Sequence, residues 1–460
     1  MPDLGNPALG NPDLGNIVKA YDIRGVVPDE LNESLARDIG AAFVRVLGAD
    51  RIVTAYDMRE SSPGLARAFA EGATAQGADV VEAGLGSTDL LYYASGSLGI
   101  PGAMFTASHN PAKYNGIKLC RAGAAPVGQD TGLAEIRALV EQGIPPYDGT
   151  PGEISQRDVL SEYAAYVVSL VPGVTDIRRL SVVADAGNGM GGLTVPVVFE
   201  HLPVDLVPMY FELDGSFPNH EANPIEPDNL RDLQAKVRET GADIGLAFDG
   251  DADRCFVVDE KGDVVSPSVL TALIATRELA KEPGATVIYN LITSHAVPEI
   301  VGEHGGTAVR TRVGHSFIKA TMAETNAIFG GEHSGHFYFR DFWRADSGML
   351  AALHVLAALG SQDRPLSALL AEFSRYVASG EINTRVDDQA ATVAAVEAAY
   401  GGRDGVTIDH LDGLTVSLPD GSWFNLRASN TEPLLRLNVE AADEAAMSRI
   451  RDEVLALLRG

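Results

Sequence analysis

Three carboxylates at alternate positions, Asp249-Gly250-Asp251-Ala252-Asp253, followed by Arg254, close a strand-like run from Ala242 to Phe248. Ligand sites favour the C-terminal end of a parallel strand. Carboxylates this close repel one another, and a divalent cation removes the conflict. Mg2+ takes oxygen ligands and keeps positions for water or a substrate phosphate. A calcium-binding helix–loop–helix would want glycine where Arg254 stands and a helix where Cys255-Phe256-Val257-Val258 reads as a strand.

A second stretch offers a nucleophile. Gly102-Ala103-Met104-Phe105 reads as a short buried strand running into Thr106-Ala107-Ser108-His109-Asn110-Pro111. Asn-Pro is a turn signal, so Ser108 is expected on a bend with its hydroxyl exposed. Adjacency alone does not make Ser108 and His109 a nucleophile–base pair, and a plain turn competes. Ile117-Lys118-Leu119 reads as a returning strand that carries Lys118 towards the serine.

Two further loops could read a sugar phosphate. Gly331-Glu332-His333-Ser334-Gly335-His336 presents carboxylate, hydroxyl and imidazole groups between glycines, suited to several directional hydrogen bonds at once. Arg427-Ala428-Ser429-Asn430-Thr431-Glu432-Pro433, with Arg436 behind, has the composition of a phosphate cradle. Either loop taken alone is as well read as a polar turn.

The elements that must position these groups recur as strand–loop–helix–strand units. Arg51–Ala55, the helix 63–76 and Asp79–Ala83 form one, preceded by a helix carrying Leu35, Ile39, Phe43 and Val46 with Asn32 as N-cap. Leu180–Asp185, the Gly-rich 187–192, a helix over 193–199 and Val204–Val207 form another. Thr286–Asn290, a helix near 296–303 and Thr307–Arg310 form a third. The expectation is three related mixed α/β domains with mainly parallel sheets, around a central cleft. The last stretch differs: a helix over 389–400 capped by Gly401-Gly402, hairpin turns at Asp412-Gly413 and Asp420-Gly421, and a closing amphipathic helix make an α+β domain. The division is 17–152, 153–260, 261–374 and 375–460. Residues 1–16, dense in Gly, Asn and Pro, are expected to be disordered or draped on the surface.

Composition narrows the partners. Of 460 residues, 35 are Lys or Arg and 63 Asp or Glu, a net charge of −28 that disfavours nucleic acid and anionic membranes. Cys120 and Cys255 are far apart and lack metal-ligand spacing, as for free thiols in a reducing compartment. With no apolar run long enough to span a bilayer and no secretory signal, the expected location is the cytoplasm.

Together the four stretches, in this order, resemble the α-D-phosphohexomutase superfamily, in particular its bacterial phosphomannomutase/phosphoglucomutase branch. The resemblance runs from Ile17 to the C-terminus. It implies that Ser108 carries a transferable phosphate, and that Ser108, Asp249, Asp251 and Asp253 hold Mg2+. It places Arg24, Lys118 and His109 in the reaction centre, Lys118 or a neighbour acting as general acid/base. Arg254, His315, Glu332, Ser334, His336, Arg427, Ser429, Asn430, Thr431 and Arg436 are the implied substrate contacts. The reaction would interconvert hexose 1- and 6-phosphates through a hexose 1,6-bisphosphate, with mannose favoured and glucose accepted, in a monomer or weak homodimer. One departure stands out: Ile292 occupies about the place of a substrate-contacting lysine in some members, and His295 could substitute. Phosphoglucosamine mutase is a rival within the superfamily, though its sugar loop usually has Gln where His333 stands. Outside it, a Mg2+ phosphomonoesterase and a non-catalytic sugar-phosphate binder compete. A haloacid-dehalogenase-type aspartyl nucleophile is a minor rival, since it expects Gly and Thr at Ala252 and Asp253.

Overall fold

The computed structural model describes residues 14–428 and 434–459. These form two compact units, residues 14–265 with 334–366, and residues 266–333 with 367–428 and 434–459.

In the first unit, one sheet is built on parallel strands Arg51–Tyr56, Asp79–Leu85, Gly102–Phe105 and Ile154–Gln156, with Tyr114–Arg121 and Ile23–Val26 added antiparallel. The central strands read as near-continuous apolar runs because helices cover both faces. The helix Glu33–Leu47 begins as expected at Asn32, whose side chain accepts from Leu35 N at 3.0 Å. It packs against Ser62–Ala75 so closely that a methyl at Gly40 or Gly72 would collide with backbone carbonyl oxygen. A second sheet has the same logic. Leu180–Asp185, Val204–Met209 and Ile244–Phe248 run parallel, and Cys255–Asp259 returns antiparallel. The apolar helix Gly348–Gly360 is buried along its whole length.

In the second unit, Thr286–Asn290 pairs in parallel with Thr307–Thr311 and Phe329–Gly331. A further sheet is antiparallel, with Thr407–Asp409, Leu414–Ser417, Trp423–Ala428 and Leu434–Ala441 in succession. Its core holds Tyr400, Phe424, Leu426, Leu437, Ile450 and Val454, beneath the closing helix Glu444–Arg459. Gly413 and Gly421 occupy the two hairpin connections with φ of +75° and +86°.

Three local expectations change. Leu14–Ile17 is a helical turn with Leu14 and Ile17 buried, so the end of the expected N-terminal extension is structured, while residues 1–13 lie outside the described residues. The sequence Tyr21-Asp22-Ile23-Arg24-Gly25 reads as a short loop, but Arg24 lies on a strand, because Ile23–Val26 pairs with Tyr114–Ile117. The helix Gln389–Tyr400 does stop at Gly401, but that glycine has φ −65° and makes no left-handed cap. Among the described residues no helix is long and apolar enough to cross a membrane. Both cysteines are buried and no disulfide joins them.

Candidate active site

In each sheet of the first unit the chemistry sits on the loop joining the last parallel strand to its antiparallel return. Ser108 lies between Gly102–Phe105 and Tyr114–Arg121, and the aspartates lie between Ile244–Phe248 and Cys255–Asp259. The two loops meet. Ser108 Oγ donates to Asp249 Oδ2 at 2.9 Å. Contrary to the sequence expectation, the serine is only 4% exposed. A lone turn would leave it in solvent, but here the aspartate loop covers it, so closely that a methyl at Gly250 would collide with the Ser108 carbonyl.

Ser108 has φ +49°, a left-handed conformation that is uncommon for a non-glycine residue and persists only where the surroundings enforce it. Arg59 supplies much of that enforcement. Its Nη2 donates to Ser108 O at 2.9 Å and Asn110 O at 2.7 Å, and its Nη1 to Pro111 O at 3.1 Å and Tyr114 O at 3.0 Å. Its Nε donates to buried Asp57 at 3.2 Å. Sequence reading missed Arg59; the one available signal was its place just past the parallel strand Arg51–Tyr56.

The Gly-rich 187–192 also finds a purpose here. Met190 N donates to Gly250 O at 2.9 Å, and a methyl at Gly189 would stand 2.6 Å from that oxygen. The loop is glycine-rich so that its backbone can brace the aspartate loop.

The triad is fully buried, and its oxygens divide into two sets. Asp249 Oδ2 accepts from Ser108 and from Arg254 Nε at 2.8 Å, and its Oδ1 accepts from Arg254 N at 3.1 Å. Lys118, on the returning strand, donates to Asp251 Oδ2 at 2.7 Å and Asp253 Oδ2 at 2.6 Å. Asp251 Oδ1 and Asp253 Oδ1 are buried with no hydrogen-bond partner among the described residues. Orphaned carboxylate oxygens are costly unless something cationic takes them. The three aspartates can each turn one oxygen to a common point, their ligand atoms lying within 4.8 Å of one another. An all-oxygen donor set beside a hydroxyl fits a hard divalent cation such as Mg2+.

Charge is strongly coupled across this cluster. Burial raises the Asp249 carboxyl to about 7, against the pull of Arg254. Burial also opposes ionisation of Asp251, but Lys118 outweighs it and holds that carboxyl well below the usual range. Lys118 is buried too, yet Asp251 and Asp253 keep it firmly protonated. His109 Nδ1 is 3.2 Å from Ser108 Oγ, and burial, then Arg254 and Arg24, push its imidazole down to about 2, so it is neutral. Arg24 reaches the same loop by donating to Asn110 Oδ1 at 2.5 Å and to Asp22 at 2.6 Å. His336 pairs with Asp346 at 2.9 Å and lies 3.8 Å from Asp253; burial opposes its charge, but the two carboxylates raise its pKa. Ser334 is half-buried beside it in sequence. Ser108, His109, Lys118, Arg24, the aspartates, Arg254 and His336 are thus gathered in one unit.

The second unit holds the other candidates. Glu332 is buried, and its Oε1 accepts from Asn290 Nδ2 at 3.3 Å and Gly314 N at 3.2 Å, just before the helix that begins at His315. Arg427 and Arg436 are direct cross-strand neighbours, and Glu381 lies between them at 3.6 and 3.5 Å. Glu381, with Asp412 3.8 Å from Arg427, offsets the repulsion of two like charges set directly opposite on a sheet. Ser429, Asn430 and Thr431 lie outside the described residues. Ile292 lines a cavity of about 190 Å³ with His333, Ser268, Trp423, Asn438 and Glu440. The His295 ring stacks on Trp423 with centroids 5.2 Å apart, and its backbone N–H donates to Glu440 Oε1 at 2.9 Å. Burial lowers its pKa.

Comparison with known proteins bears on the whole chain. Models of phosphoglucomutase/phosphomannomutase α/β/α domains I, II and III match residues 15–145, 161–262 and 266–376, and the C-terminal domain model matches 381–457. The phosphohexose mutases protein of Xanthomonas campestris pv. campestris is 44% identical over 448 residues, covering 96% of this chain and 99% of that one. A phosphomannomutase of Escherichia coli is 40% identical over 452 residues, covering 96% and 98%. The crystal structure of a phosphoglucomutase/phosphomannomutase family protein from Burkholderia thailandensis superposes with a TM-score of 0.86 at 35% identity, covering 96% and 97%.

Proposed function

The chain belongs to the phosphoglucomutase/phosphomannomutase family, and from that premise we propose that it interconverts hexose 1-phosphates and hexose 6-phosphates by way of a phosphate carried on Ser108. The observation that carries the reading is the junction of the serine and aspartate loops. A hydroxyl on a strained, immobilised bend faces three buried carboxylates, two of which have an oxygen left over.

Asp249, Asp251 and Asp253, with an oxygen of the phosphorylated Ser108, would hold Mg2+. When bound, the cation supplies neutralisation of phosphate charge. The chain's own residues do the rest. A phosphoserine brings ~−1.5 to −2 charge, and Arg254, Arg24 and Lys118 are the cations at hand to balance it and a second phosphate. Phosphoryl transfer depends chiefly on such positioning and electrostatics. The free hydroxyl of the sugar must lose a proton as it takes the phosphoryl group. Lys118, held protonated, is placed to give a proton as general acid, and neutral His109, against Ser108 Oγ, and His336, oriented by Asp346, are placed to take one. Glu332, Ser334 and His315 would contact the sugar. Arg427 and Arg436, with Ser429, Asn430 and Thr431, would grip the phosphate that stays. The bisphosphate then turns end for end and returns its other phosphate to Ser108. The four-domain division at about residues 152, 260 and 374 goes with this reading.

Mannose and glucose differ only at C2, whose position shifts between the two binding orientations. A site that must accept both orientations can place little weight there, so a partly solvated hydrogen bond of ~0.5–1.5 kcal/mol sets the preference. Discrimination is then roughly tenfold, with mannose favoured on family resemblance.

The test is mass spectrometry of the purified protein together with turnover of mannose, glucose and glucosamine 1-phosphates, monitoring released phosphate. Phosphate on Ser108, loss of turnover in Ser108→Ala and conservation of phosphate are expected. Label on another residue, or release of free phosphate at the rate of turnover, would overturn the reading.

A further inference from the structure

We propose that Thr88 is a positioning residue for the metal: it fixes which oxygen of Asp251 is offered to the cation, and so tunes the affinity of the triad. Thr88 is fully buried and holds Asp251 twice, its N–H donating to the backbone oxygen at 3.0 Å and its Oγ1 to side-chain Oδ2 at 2.5 Å. Lys118 donates to that same Oδ2. With two donors on one oxygen, the carboxylate cannot rotate without breaking both, and Oδ1 is left without a partner among the described residues. Thr88 therefore does for Asp251 what an outer partner does for any metal-ligating side chain, fixing its direction before the ion arrives.

The anchor behind Thr88 is rigid. Thr88 opens the helix Thr88–Leu98, and Ser87 caps it by accepting from Leu90 N at 3.3 Å. The next residue, Asp89, is buried and accepts from Tyr163 at 2.7 Å and from Ser347 at 2.6 Å, with Ser87 on its other oxygen. Ser347 in turn caps the buried helix Gly348–Gly360 and follows Asp346, the partner of His336. Ser87-Thr88-Asp89 thus ties the aspartate loop to the frame of the first unit. A β-branched residue at position 88 further restricts the hydroxyl's direction.

The experiment is direct binding of Mn2+, as probe, to the full chain by calorimetry or electron paramagnetic resonance, for wild type, Thr88→Val and Thr88→Ser. Valine keeps the shape and removes the donor, so its dissociation constant should rise about 10–100-fold, the usual effect of losing an outer partner. Serine keeps the donor and should stay within about threefold of wild type. The Mg2+ concentration for half-maximal turnover should rise with the Mn2+ constant in Thr88→Val, while turnover at saturating Mg2+ recovers. A folded Thr88→Val that binds Mn2+ like wild type overturns the proposal. So does a folded Thr88→Ser that loses more than tenfold, an arm that stands even if Thr88→Val fails to fold. The inference rests on the triad holding a divalent cation. A wild-type protein that binds no Mn2+ would overturn both, whereas wild-type binding with an unimpaired Thr88→Val overturns the role of Thr88 alone.

Discussion

Replacing Arg59 by lysine tests whether the serine loop is held by geometry or merely by charge. The guanidinium has five N–H donors in a fixed fork, and all five are used: one on Asp57, two on Pro111 and Tyr114, two on Ser108 and Asn110. An ammonium keeps the ion pair with Asp57 but is a point charge with three donors, and it cannot span both carbonyl pairs. At least two buried carbonyls then lose their partner. At ~1–3 kcal/mol each, less what water or the ammonium recovers, the loss of stability is about 2–4 kcal/mol. Activity should suffer more. Freed at its carbonyl, Ser108 can relax from its φ of +49°. A displacement of about 1 Å at a reacting atom costs roughly 100-fold in rate. Thermal melting and kcat on mannose 1-phosphate read the two effects separately. An Arg59→Lys protein whose kcat is within threefold of wild type would refute the argument that the fork positions the serine.

Three further outcomes follow from the same geometry. Gly250→Ala should cut kcat by roughly 100-fold while the protein still folds, because the new methyl strikes the Ser108 carbonyl; steady-state kinetics beside circular dichroism checks this. Asp251→Asn should lower turnover by at least about tenfold and raise the Mg2+ requirement, since removing one charged ligand weakens a hard-cation site; a metal titration with unchanged half-saturation would contradict it. His220 donates towards Asp185 at 3.0 Å and Glu221 O at 2.9 Å. Burial opposes its charge, but Asp185 raises its pKa above the ordinary value. Its stabilisation is therefore complete below about 6.5 and fades as pH rises through the higher folded value. Thermal melts should show wild type exceeding His220→Gln by a few degrees in mild acid, and the gap closing in mild alkali.

What the sequence revealed, and what it hid, follows from where the partners lie along the chain. Ser108 and Asp249 were visible because each ends an apolar run that can only be a buried strand, Gly102–Phe105 or Ile244–Phe248. Lys118 was visible because the run around it had to return. The helix Gln389–Tyr400 and the turns at Gly413 and Gly421 followed from periodicity and glycine. Thr88 and Asp346 left no such mark, and Arg59 only its place just past a strand. Arg59 and Thr88 meet partners 49 and 163 residues away, and nothing in a single sequence records that pairing. The burial of Ser108 was missed for the same reason: the lid on its loop is Gly250 and its neighbours, from another sheet. The role of the Gly-rich 187–192 was likewise invisible until Met190 was seen to hold Gly250.

Lys118 has one more consequence, for how such a protein is made. Its ammonium lies between Asp251 and Asp253, while Arg254 lies against Asp249, whose carboxyl burial raises to about 7. Two resident cations thus meet three acids, one of which burial makes harder to ionise. A newly synthesised chain should therefore close this cluster without a divalent ion, unlike small zinc modules, whose folding waits on the metal. On the proposed reading a divalent cation would enter a finished scaffold as a late lodger, and its withdrawal should idle the enzyme without dismantling it.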